Sequence, residues 1–154
     1  SIDSIGATSA DLSWSAVTET NFNHYEIWYG ETQADVQNRT GTATEWDDSD
    51  DSRLATRTNA STTITSLTPN IQYYFKIWAL DDYGNEQTIT DVNAYTLANP
   101  PATLSLTVDS QTQITASWNA NSNPSGTEFY AENTTESTNS GHWAAYPPGS
   151  ENRH

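Results

Sequence analysis

The chain has 154 residues, 20 of them acidic and 5 basic, for a formal net charge of −15. So negative a surface excludes nucleic-acid backbones and anionic membranes as partners, and no apolar stretch approaches the ~20 residues that a membrane-spanning helix needs. Cysteine is absent, which removes disulfides and thiolate metal sites, and without a starting Met or a signal segment the sequence reads as a processed chain or part of a longer one.

In chain order, what recurs is short alternating runs separated by Gly, Pro, Asn and Asp, with no sustained helical period. "ADLSWSA" (10–16) places Leu12 and Trp14 on one face. "HYEIWYG" (24–30) places Tyr25, Ile27 and Tyr29 on one side, with Glu26 and Trp28 on the other. The acidic run "EWDDSDDS" (45–52) is the best metal candidate, because Ca²⁺ takes about six to eight oxygens and Asp47, Asp48, Asp50 and Asp51 could supply several. It lacks the Gly and distal Glu of an EF-hand loop, so solvated charge is the simpler reading. "STTITSL" (61–67) centres on Ile64 and ends at Leu67.

"LTPNIQYYFKIWA" (67–79) turns a Leu67-x-Pro69 corner into a run that buries Tyr73, Phe75, Ile77 and Ala79 and points Tyr74, Lys76 and Trp78 the other way. "LDDYGN" (80–85) reads as a hairpin turn and is a weaker metal candidate. "TDVNAYT" (90–96) sets Val92 and Ala94 against Asn93 and Tyr95. Several short strands joined by turns predict an antiparallel β-sandwich.

Leu, Ile, Val and Phe number only 22, and 17 of these lie in residues 1–98. Six Trp and eight Tyr argue against disorder, since disordered segments are poor in aromatics. In "YTLANPPATLSL" (95–106) two successive prolines end the ladder and make a short, stiff joint. Beyond it the pattern repeats at an offset of 104, pairing Trp14 with Trp118, Ser13 with Ser117, Ala16 with Ala120 and Tyr25 with Phe129. The counterparts of Ile64, Leu67 and Tyr73 would fall past His154. The second copy is therefore expected to supply three strands over 99–142. Their apolar face, carrying Leu104, Leu106, Val108, Ile114, Trp118 and Phe129, should be covered by another chain or by the first module's outer face. The tail "HWAAYPPGSENRH" matches no element.

These residues resemble the fibronectin type III family. The resemblance rests on Trp14, on "YEIWYGET", on Leu67-x-Pro69-x-x-x-Tyr73 followed by Phe75, Ile77 and Ala79, and on "DDYGNEQ" with "VNAYT". It implies an all-β, immunoglobulin-like antiparallel sandwich in tandem, with a complete module over 1–98 and a partial one over 99–154. It also implies that Tyr73 is a corner tyrosine whose hydroxyl bonds back to the chain upstream. Ile71 departs from the family, which often has Thr there, at the expense of one local bond. In that fold the third strand lies beside the sixth and the sixth beside the seventh, so Trp28, Tyr74, Trp78 and Tyr95 should share one outward face.

No catalytic constellation is present, since His24, His142 and His154 lie far apart and no nucleophile, paired carboxylate or phosphate-cradling motif accompanies them. No cofactor is expected beyond the Ca²⁺ candidate. An exposed aromatic face marks an interaction site, unless its rings simply stack on one another and on Lys76. Such a face suits a neighbouring protein, including another copy of the chain, and also suits polysaccharide. Sequons at Asn38, Asn59 and Asn133 point to the cell surface or outside it. The reading is a non-catalytic extracellular structural or adhesive module of a surface or filamentous assembly. The rival is an accessory, carbohydrate-contacting module of a secreted carbohydrate-active enzyme.

Overall fold

Two long strands organise the first part of the molecule. In the computed structural model, which describes residues 1–131, β3 (Phe22–Gly30) and β6 (Gln72–Asp81) pair antiparallel, with Ile27 opposite Ile77 and Tyr29 opposite Phe75. Both are rich in aromatic and β-branched residues, which pack well on a pleated surface. Before them come β1 (Ile2–Ile5) and β2 (Ala10–Ser13), which with β5 (Ser61–Ile64) form a three-stranded sheet in the order β1-β2-β5. The other sheet runs β4-β3-β6-β7, where β4 is Thr44–Trp46 and β7 is Glu86–Thr88, and β8 (Val92–Tyr95) pairs with the other half of β6.

The period-two pattern meets between these sheets. Ala10, Leu12 and Ile64 from one sheet and Tyr25, Ile27, Tyr73 and Phe75 from the other form one core with Leu54 and Leu67. Trp14 packs edge-on to Tyr25 with ring centroids 5.1 Å apart. The Tyr25 hydroxyl donates to the Arg57 carbonyl at 2.8 Å and accepts from the Val17 amide at 2.9 Å, so the buried phenol is satisfied at both ends.

The corner forms as its residues imply. Leu67 and Pro69 are buried, Asn70 takes a left-handed conformation (φ 55°), and the Tyr73 hydroxyl accepts from the Thr68 amide at 3.2 Å. Ile71 cannot supply a hydroxyl, and a residue distant in sequence does. Buried Thr96 accepts from the Ile71 amide at 3.0 Å and donates to the Thr68 carbonyl at 2.6 Å.

Two short features escape the alternation. A six-residue helix, α1 (Gln33–Asn38), follows β3, where no helix was expected. Its one buried side chain, Val36, is too little signal to read as a period. The last stretch of the sheet is split. Trp78 faces Thr88 but Phe75 faces Val92, so residues 89–91 bulge opposite Lys76 and Ile77. The Thr88 hydroxyl caps the Ile77 carbonyl there at 2.6 Å.

The chain divides into two units, Ser1–Leu97 and Ala98–His154. In the second, β9 (Ala102–Ser110) and β10 (Gln113–Asn119) form an antiparallel hairpin, with Leu106 opposite Ala116 and Val108 opposite Ile114. Of the expected third strand, "GTEFYA" up to residue 131 is turn and irregular chain, and the remainder to residue 142 lies outside the described residues. What persists is the aromatic pair, with Trp118 edge-on to Phe129 at 6.3 Å. The apolar face of the hairpin is open, with Leu104 70% and Val108 73% exposed. Asn133, His142, His154 and the tail lie outside the described residues.

Candidate functional site

Strand register places Trp28, Tyr74, Trp78 and Tyr95 on the outer face of the larger sheet, as expected, but they do not form an exposed patch. Trp78 is only 5% exposed, Trp28 and Tyr74 are half-buried, and Tyr95 alone stands out in solvent at 62%. Glu26, expected at the surface beside Trp28, is buried as well. The cover is α1 with its C-terminal turn. Gly30 lets the chain fold back so closely that an added Cβ would sit 3.3 Å from the Ala43 Cα and 3.5 Å from Val36. Fully buried Val36 then lies outside the inter-sheet core, under the helix that packs on β3 and β6.

The cover is fastened by polar groups. Arg39, in the left-handed C-cap of α1, places its guanidinium 5.0 Å from the centre of the Trp78 ring, and the Lys76 ammonium lies 4.9 Å from the same ring. Arg39 also grips Glu86 through two bonds of 2.8 Å and reaches Glu26 at 3.5 Å. Its hydrogen bonds to Glu86, more than any other influence, push its pKa above the usual guanidinium value. Glu26 in turn accepts from the Trp28 indole. On the other side Gln33 and Gln37 donate to Asp91 at 2.6 and 3.0 Å, and these bonds, Gln37's first, hold Asp91 below the ordinary carboxylate range. The helix is stapled across the sheet to the bulge at residues 89–91.

Three of the four carboxylates in the acidic loop accept from protein donors. Asp51 caps the 3-10 turn Ser52–Ala55 and accepts from the Arg53 side chain at 2.7 and 2.9 Å and from the Thr62 hydroxyl at 2.6 Å. The Arg53 hydrogen bond does most to bring its pKa to about 2. Asp47 accepts from the Ser49 amide at 2.8 Å and hydroxyl at 2.6 Å, and Asp50 accepts from the Asp47 amide at 3.3 Å. Asp48 is exposed. Among the described residues no three His, Asp or Glu converge to hold a metal. The "LDDYGN" turn is likewise self-contained, with Asp81 accepting from the Tyr83 and Asn85 amides at 2.9 and 2.8 Å. Asn38 is exposed at the end of α1, whereas Asn59 is half-buried and its amide donates to the Ser61 carbonyl at 2.9 Å.

The model of the fibronectin type III domain matches residues 1–94. The chain belongs to the fibronectin type III family. Solved structures agree on the fold. A two-domain fibronectin type III segment of chicken tenascin is 14% identical, with a TM-score of 0.62, over 99% of this chain and 78% of that one. The FN1–FN3 domains of chicken CNTN1 are 20% identical, with a TM-score of 0.51, over 63% of this chain; the matched part is 30% of the CNTN1 chain. No curated protein matches the chain. Fibronectin type III domains are generally non-catalytic modules of extracellular or adhesion proteins and commonly mediate protein contacts. No helix among the described residues is long and apolar enough to cross a membrane.

Proposed function

We propose that the protein is a non-catalytic extracellular structural module, a spacer in a surface or filamentous assembly that contacts neighbouring protein modules. The observation carrying this reading is where Ser1 and Leu97 are held in the first module. Ser1 is bonded to Ser13 at one end of β1, through Ser1 N to Ser13 O at 2.6 Å. Leu97 is bonded at the other end, through its amide to the Gly6 carbonyl at 3.0 Å. Five strand steps separate the two, about 17 Å at ~3.4 Å per residue. Attachment points at opposite ends of one strand make the module a length element, and tension between them falls on bonds that must break together.

Protein contact is favoured over polysaccharide because the aromatic face is covered by α1, leaving Tyr95 without the ring platform that sugar stacking uses. Leu104, Leu106, Val108 and Ile114 offer an apolar face suited to protein. Pull-down on cellulose, chitin and mannan tests the choice. The chain should remain in the supernatant. Retention that Tyr95→Ala abolishes would move the reading to a carbohydrate-contacting module.

A further inference from the structure

Between Leu97, the last residue of the first unit, and Asn99 stands one exposed residue, Ala98. Among the described residues neither its amide nor its carbonyl has a hydrogen-bond partner. Leu97 is tied into the first unit through both of its backbone groups. Its amide donates to the Gly6 carbonyl at 3.0 Å, and its carbonyl accepts from the Asn70 amide at 3.2 Å.

On the other side the chain is clasped by asparagine side chains. The Asn99 amide donates to the Asn123 side-chain oxygen at 2.8 Å, and the Asn99 carbonyl accepts from the Asn123 side-chain nitrogen at 2.8 Å. A primary amide carries a donor and an acceptor side by side, so Asn123 pairs with Asn99 as a neighbouring strand residue would. Asn123 is buried, and its side-chain nitrogen also donates to the Ala120 carbonyl at 2.7 Å. The Asn99 side chain donates to the Asn121 carbonyl and the Asn121 side chain to the Pro100 carbonyl, both at 2.9 Å. Asn121 and Ser122 are left-handed, at φ 53° and 66°. Asparagine adopts that conformation more readily than serine does, so the turn depends on the surrounding bonds to hold it. Pro100 and Pro101 fix their own φ, and a residue ahead of proline is pushed towards extended backbone.

The clasp is not a requirement of the sandwich. At the offset of 104 the first unit carries Ser15, Val17 and Glu19 where the second has Asn119, Asn121 and Asn123. Its core closes without a side-chain amide at any of the three. What the asparagines add is a fixed start to the second unit.

The geometry points to a joint of one residue. The clasp carries the order of the second unit back to Asn99, and backbone rotation between the units is confined to Ala98. Its use in a spacer rests on the function proposed above. One unheld residue yields at most about 3.6 Å of slack under tension. Load then passes from Leu97 to Asn99 almost without stretch, while rotation at Ala98 stays free.

The test uses the full chain without load, so its result is independent of the spacer reading. Amide exchange should be about tenfold or more slower at Asn99 than at Ala98, and Asn123→Ala should bring Asn99 to the rate of Ala98. Two variants of Ala98 leave every bond of the clasp in place and keep the test decisive where Asn123→Ala loosens the second unit itself. Residual dipolar couplings should show a wider spread of orientations between the units for Ala98→Gly and a narrower one for Ala98→Pro. Asn99 exchanging as fast as Ala98 in the parent overturns the proposal, and so does an unchanged spread in both Ala98 variants.

Discussion

Replacing Trp78 with alanine tests the covered face most sharply. The ring is 5% exposed, beneath the α1 segment and against Arg39 and Lys76 at 5.0 and 4.9 Å. Truncating a buried Trp costs about 3–5 kcal/mol, and two cation–π contacts add about 0.5–1 kcal/mol each where partly exposed. Loss of the ring also removes much of the surface on which Arg39 and the α1 segment rest, so at least ~4 kcal/mol is expected in total. For a domain this size ~1 kcal/mol moves the midpoint by about 4–8 °C, so Trp78→Ala should melt at least ~15 °C below the parent. Trp28→Ala, at a half-buried position, should cost only about 1 kcal/mol. Urea and thermal unfolding followed by far-ultraviolet circular dichroism would measure both. If the two variants lose the same small amount, the ring is at the surface in solution and α1 does not seat on the sheet.

Tyr73→Phe leaves the Thr68 amide without its acceptor and should cost about 1–3 kcal/mol, whereas Tyr74→Phe on the outer face should be near neutral by the same unfolding assay. The Asp51 carboxyl has its pKa depressed to about 2, below its ordinary value of 3.8, so its contribution to stability is full above about pH 4 and is lost as pH falls toward 2. Asp51→Asn should flatten that part of the pH–stability curve, and an unchanged curve would mean the bonds to Arg53 and Thr62 do not form. Millimolar Ca²⁺ should leave the melting temperature where it is, because Asp47, Asp50 and Asp51 already serve protein donors; a rise reversed by chelator would show the loop reorganising around the ion.

The strands were legible because alternation with period two is a local property, and β3 and β6 repeat it over nine and ten residues. The same alternation assigns a side chain to a face without saying what covers that face. Alternation thus puts Trp78 on the correct side of β6 but gives no sign that the ring is buried there. Its cover depends on a six-residue helix with one buried side chain and on Arg39 reaching Glu86, contacts across 47 residues that no local pattern encodes. Gly30 and the left-handed Arg39 are the marks that could have revealed the fold-back. Thr96 standing in for the hydroxyl absent at Ile71 is likewise a contact across 25 residues. In the second unit the offset located Trp118 opposite Phe129, but residue matching could not tell an irregular stretch from a third strand.

Mechanical extension of the first module between Ser1 and Leu97, by single-molecule force spectroscopy, puts the spacer reading to its most direct test. The two attachment points lie about 17 Å apart along β1, and the 97 residues between them would reach roughly 320–350 Å when extended. One cooperative rupture should lengthen the chain by roughly 310 Å, with the sandwich intact until it occurs. A gradual lengthening at low force, with β8 peeling away before the core opens, would contradict it.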